Sequence, residues 1–105
     1  MTDTKILVLG RSSVVHAAAA ILADHGFPAV GVNSDDETIA ELGTGRYTVL
    51  VLGTGVEAVS RERLIVRAAA HGTLVLEARR SPGQGVLDNV RDFVVPEVRR
   101  MLGQR

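Results

Sequence analysis

The chain has 105 residues, 46% hydrophobic and 23% charged, a globular balance too apolar for disorder and long enough to close one core. Twelve basic residues match twelve acidic ones, and aromatics make up only 3%, so both the cationic excess and the stacking platforms of nucleic-acid binders are missing. With no cysteine, disulfides, thiolate metal sites and thiol catalysis are excluded.

Four short aliphatic runs read as strands in chain order: Lys5 to Leu9, Ala29 to Val32, Thr48 to Leu52 and Thr73 to Leu76. They are continuously apolar rather than alternating, as strands buried on both faces are. Helical patterns lie between them. Val14, Ala18, Ile21 and Leu22 share one helix face, and Gly26 ends that run. Ser34-Asp35-Asp36-Glu37 has the form of a capping box for a second helix, which buries Ile39 and Leu42 and stops at Gly43 and Gly45. A third helix is expected from about Ser60 to His71, burying Leu64, Ile65 and Ala68 and ended by Gly72.

The tail from Val86 to Leu102 supports two readings. Leu87, Val90, Val94, Val98 and Met101 keep helical spacing, which favours one closing helix, kinked at Pro96. The alternative is a fifth strand at Asp92–Val95 followed by a short helix. Either way, strands and helices alternate, and right-handed crossovers place helices on both sides of a parallel sheet. The expected fold is α/β, a three-layer doubly wound parallel sheet of four to five strands, Rossmann-like or flavodoxin-like, with residues 1–105 as one domain. Neighbour order separates the two: 3-2-1-4 belongs to the dinucleotide-binding arrangement and 2-1-3-4 to the flavodoxin-like and receiver one.

The longest apolar stretch, Val14 to Ala23, contains His16 and is too short to cross a bilayer. Met1-Thr2-Asp3-Thr4 lacks the basic start of a secretion signal, so the expected location is the cytoplasm, with neither a membrane nor a nucleic acid as partner.

In an open parallel sheet, ligands bind beyond the carboxyl ends of the strands. Those ends carry Gly10-Arg11-Ser12-Ser13, Asn33, Gly53-Thr54-Gly55 and Glu77. The first is a strand–turn–helix junction whose free N–H groups favour anions; Arg11 adds a charge there, or Ser12 or Ser13 simply caps the helix. Arg79-Arg80, after the fourth strand, are further cations for an anionic ligand or partner. His25 and His71 precede helix-ending glycines, where an imidazolium suits the helix dipole. Arg61 and Arg63 read as a solvated helix face. No catalytic constellation or metal-ligand spacing stands out.

Gly53-Thr54-Gly55-Val56-Glu57-Ala58, following a strand, with Glu77 ending the next, resembles the dinucleotide-binding βαβ unit of flavin- and nicotinamide-dependent oxidoreductases. The resemblance implies a phosphate role for Gly53 and Gly55, a ribose role for Glu77, and NAD(P) or a flavin nucleotide as cofactor. Gly10-Arg11-Ser12-Ser13 is similar to the opening of short-chain dehydrogenases, but the Tyr-x-x-x-Lys pair of that family is absent, since Lys5 is the only lysine.

The order of elements from Lys5 to Ala78, with Asp36-Glu37-Thr38-Ile39-Ala40-Glu41-Leu42 followed by Gly45-Arg46-Tyr47, is also similar to a response-regulator receiver domain. The acidic and phospho-accepting positions of that family hold Gly10-Arg11 and Gly53. This resemblance therefore implies a protein-interaction module that is not phosphorylated. The Val-rich tail (Val94, Val95, Val98) offers more apolar surface than one helix stripe needs, an expectation of a homodimer contact.

Overall fold

Each aliphatic run forms a strand: β1 (Ile6–Leu9), β2 (Ala29–Val32), β3 (Val49–Leu52) and β4 (Leu74–Glu77). The computed structural model describes residues 5–103, so the leader reading of Met1–Thr4 lies outside the described residues. All four strands are parallel, in the order β2-β1-β3-β4, with Leu7 beside Val30 and Leu50, and Leu50 beside Val75. Of the two neighbour orders, the chain adopts 2-1-3-4, the flavodoxin-like and receiver arrangement rather than the dinucleotide-binding one. The sheet has four strands; no fifth forms at Asp92–Val95, which is helical.

Helices α1 (Val14–Asp24), α2 (Asp35–Leu42) and α3 (Ala58–Ala70) link the strands. The chain steps from β1 outward to β2, then crosses back over β1 to β3. Keeping each crossover right-handed puts α1 on one face and α2 and α3 on the other. Ile6, Val8, Val49, Val51 and Leu76 pack under α1. Leu7, Leu9, Leu50 and Leu52 pack under α2 and α3 with Leu42, Leu64 and Ala68. The central strands β1 and β3 are buried on both sides, which is why they read as unbroken aliphatic runs.

The cap signals are realised in detail. Ser34 accepts the Glu37 N–H at 3.1 Å, and Glu37 Oε1 in turn takes the Ser34 hydroxyl at 3.1 Å. Helices α1 and α3 end alike. At Gly26 (φ 89°) the Phe27 N–H reaches Leu22 O at 2.9 Å, and at Gly72 (φ 69°) the Thr73 N–H reaches Ala68 O at 2.9 Å, the six-to-one bond of a Schellman cap. Gly72→Ala forces a Cβ into the left-handed region and is expected to cost about 1–2 kcal/mol. A urea melt checks this, and an unchanged midpoint would contradict it. Helix α3 starts at Ala58, two residues before the expected Ser60.

The tail settles as one continuous helical run on the α1 face: α4 (Val86–Asn89), a π turn (Val90–Val94) and α5 (Val95–Met101). The Val95 N–H bonds to Val90 O, five residues back. This wider turn lies just before Pro96, where an α-helix would need an N–H that proline lacks. Val94, Val95 and Val98 are no more than 2% exposed. These three valines, on which the expected dimer contact rested, pack within the chain and cover the sheet beside α1. Among the described residues, no helix is long and apolar enough to cross a membrane.

Candidate functional site

The order of the sheet reverses between β1 and β3, so the loops leaving these strands part to opposite faces. The Gly10–Ser13 loop climbs to α1, and the Gly53–Glu57 loop turns to α3. A cleft of about 270 Å³ opens at this point. Its floor is Val8 and Val51, its walls are α1 (Val14, Val15, Ala18) and the tail helix (Val86, Val90, Val94), and its mouth is formed by Gly10–Ser12, Gly53–Gly55 and Arg80.

The two loops are held by side chains that take up backbone carbonyls. Asn33 Nδ2 donates to Gly10 O and Ser12 O, both at 3.0 Å. Arg61 Nε donates to Val56 O at 2.7 Å and its Nη2 to Gly53 O at 2.9 Å, while Nη1 pairs with Glu77 at 3.2 Å. On the donor side the balance differs. The N–H groups of Ser12, Ser13, Thr54 and Gly55 find no acceptor among the described residues. With those carbonyls tied back and these N–H groups open, the mouth favours an electron-rich ligand group.

Gly53 is closely packed, since a Cβ there would sit 3.0 Å from Leu9 O; at Gly55 a Cβ meets nothing within 4 Å. Gly55 therefore keeps the mouth open without serving close packing.

Behind the mouth lies a charged hub. Arg11 Nε and Nη2 donate to the two carboxylate oxygens of Glu57, each at 3.0 Å, and Nη2 also reaches Asp35 at 2.7 Å and Ser60 Oγ at 3.1 Å. Its Nη1 donates to Asn33 O at 3.1 Å. Asp35 also accepts from the Ser60 hydroxyl at 2.7 Å and pairs with Arg63. The Ser60 hydrogen bond, then those from Arg11 and Arg63, hold the Asp35 carboxyl at about 2. Arg11 in turn stays protonated more firmly than usual because of Glu57 and Asp35. The hub ties together the loops after β1, β2 and β3.

Of the residues expected at the site, Gly10, Arg11, Ser12, Gly53, Thr54 and Gly55 line the cleft. Ser13 is the N-cap of α1 with no side-chain cap bond. Asn33 stands behind the first loop as its clamp. Glu77 does not line the cleft and is engaged by Arg61. Two residues with structural roles carried no such signal in the sequence: Arg61, expected on a solvated face, and Asn89, which lines the cleft at 3% exposure. Among the described residues, no group of three or more metal-ligating side chains is placed to hold an ion.

The chain is similar to a solved structure, the solution NMR structure of a de novo designed Rossmann 2x3 fold protein. The TM-score is 0.56 over 95% of this chain and 72% of that one, at 16% sequence identity. The fold is Rossmann-like. At that identity the likeness speaks for architecture alone. No protein-family model matches the chain, and no curated protein matches it.

Proposed function

We propose that this Rossmann-like protein is a small accessory nucleotide- or dinucleotide-binding protein, with its ligand in the cleft between β1 and β3. One observation carries this: the cleft coincides with the reversal of strand order, and its mouth is rimmed by two glycine-bearing turns with open N–H donors. Phosphate oxygens suit those donors and Arg80, and the ligand's apolar part suits the valine walls. Gly10, Ser12, Gly53, Thr54 and Gly55 would face the phosphate. Arg11 and Asn33 would act from behind, by fixing the loops.

Titration with NAD, NADP, FAD, FMN and ATP, followed by thermal shift and calorimetry, tests this. At least one is expected to bind below millimolar concentration. Gly55→Val, placed where a Cβ has open space, is expected to weaken that binding more than tenfold while the melting temperature stays within about 2 °C. Absence of binding by all five at millimolar concentration would sink the proposal.

A second reading is supported by the strand order itself, which a receiver-like protein-interaction module would share. Its partner would be a protein rather than a nucleotide. A pull-down from the native cell that recovers no regulatory protein counts against it.

A further inference from the structure

We infer that the cleft takes a mononucleotide-like aromatic phosphomonoester, ring first between α1 and the tail helix with its phosphate at the mouth, rather than a dinucleotide laid along the rim. The inference rests on nucleotide binding at this cleft and goes on to specify what is bound.

Volume is the first constraint. Small-molecule clefts usually span about 300–1,000 Å³. The cleft of about 270 Å³ suits one ring system, with the remainder of the ligand outside.

The distribution of polarity along the cleft is the second. The walls are aliphatic from Val14 and Val86 at the mouth to Val94 within. One polar side chain interrupts them. Asn89 Nδ2 donates to Arg79 O and, at 3.2 Å, to Gln84 Oε1. Both partners are acceptors, which fixes the amide orientation. Asn89 Oδ1 has no partner among the described residues, although the side chain is 3% exposed and lines the cleft. No buried side-chain polar atom is left unpartnered among the described residues, so this oxygen is open to the cleft, where it can accept a ligand N–H of the kind an amino-purine or a flavin ring edge carries and a plain acyl chain does not.

Charge is the third. Arg80 is exposed at the mouth and forms no ion pair among the described residues, whereas Arg11 is committed to Glu57 and Asp35. One uncompensated cation beside open N–H groups suits a terminal phosphate. The acid that a dinucleotide's ribose would need, Glu77, does not line the cleft and pairs with Arg61.

The probes are AMP and FMN, their dephosphorylated forms adenosine and riboflavin, ribose 5-phosphate, and the dinucleotides NAD and FAD, titrated calorimetrically against the full chain. AMP or FMN is expected to bind at least tenfold more tightly than its own nucleoside form and than ribose 5-phosphate. Arg80→Glu is expected to remove the advantage of the phosphate, at least tenfold, with no loss for adenosine or riboflavin and an unchanged melting temperature. Val86→Trp, at a partly exposed position on the mouth, is expected to block ring-bearing ligands while the chain still melts cooperatively. If NAD or FAD binds tenfold more tightly than either mononucleotide, or Arg80→Glu leaves mononucleotide affinity intact, the ring-first phosphomonoester is wrong while nucleotide binding stands. If none of the probes binds, both fall together.

Discussion

Gly31→Val is expected to lower stability by more than 3 kcal/mol, and Gly31→Ala by about 1–3 kcal/mol, as for overpacking in a closed core. Gly31 lies within β2, paired in register with Val8 of β1. A Cβ built there would lie 2.9 Å from Val15 O and 3.2 Å from Val15 C. Those are backbone atoms in the first turn of α1, so no rotamer change relieves the contact. Either α1 lifts off the sheet or β2 shifts against β1. Both moves disturb the Gly10–Ser13 loop, because Asn33, just past β2, clamps it through Gly10 O and Ser12 O. Ligand binding at the mouth should therefore fall along with stability. With a denaturant slope of about 1–3 kcal/mol per molar for a chain this size, the urea midpoint of Gly31→Val should drop by roughly 1–3 M. Gly55→Ala is the matched control and should melt like the parent. If Gly31→Val and Gly55→Ala melt together, the helix does not rest on β2 as described.

Gly31 also shows how far the sequence could be read. The run Ala-Val-Gly-Val announces a strand, but nothing beside it says that a helix backbone will lie on the glycine. The same divide recurs elsewhere. Strands β1 and β3 were legible because two-sided burial demands aliphatic residues without a break. The ends of α1 and α3 were legible because a helix stop with positive φ calls for glycine. The tail was ambiguous for a physical reason: Pro96 forbids a regular α-turn, yet the valine spacing needs a helix. A π turn satisfies both, and no local signal announces one.

The site divides along the same line. Gly10 to Ser12 and Gly53 to Gly55 could be found because strand ends converge by topology alone. The tail-helix wall, with Asn89 and Val86 to Val94, arrives from the far end of the chain. Its place on α1 depends on which sheet face is left uncovered. Glu77 matched a fingerprint by spacing, but spacing does not record that Arg61 would engage its carboxylate. Arg61 and Arg63 looked like a solvated face because helix periodicity shows which residues point outward, not whether a loop waits there with free carbonyls or an acid.

Arg11→Met is expected to cost about 2 kcal/mol at neutral pH, the range for removing a charged hydrogen-bonding group whose partners stay behind. Asp35 and Glu57 would then face each other across the rim with only Arg63 and the Ser60 hydroxyl to hold Asp35. The acid limb of the stability curve gives the more specific result. The Asp35 carboxyl sits at about 2 in the folded chain against an ordinary value of 3.8, so the folded form prefers the ionised group. A depressed carboxyl of this kind contributes its full stabilisation above the unfolded value and loses it as pH falls towards the folded value. For Asp35 that window runs from about pH 4 to pH 2, and after screening at the partly wet rim the loss is about 1–2 kcal/mol. Because the Ser60 hydroxyl is the largest cause of the depression, Ser60→Ala should flatten this part of the curve. Ser60→Ala should also destabilise at pH 7 by less than Arg11→Met does. Urea midpoints at pH 7, 4 and 2.5 for the parent and both variants check this. Parallel acid limbs in parent and Ser60→Ala would mean that Asp35 is not the group losing its partner there. Beyond stability, Arg11→Met should weaken ligand binding at the cleft even though its guanidinium points to the acids. The loops after β1, β2 and β3 would no longer share a common anchor, and the N–H groups at the mouth would lose their fixed spacing.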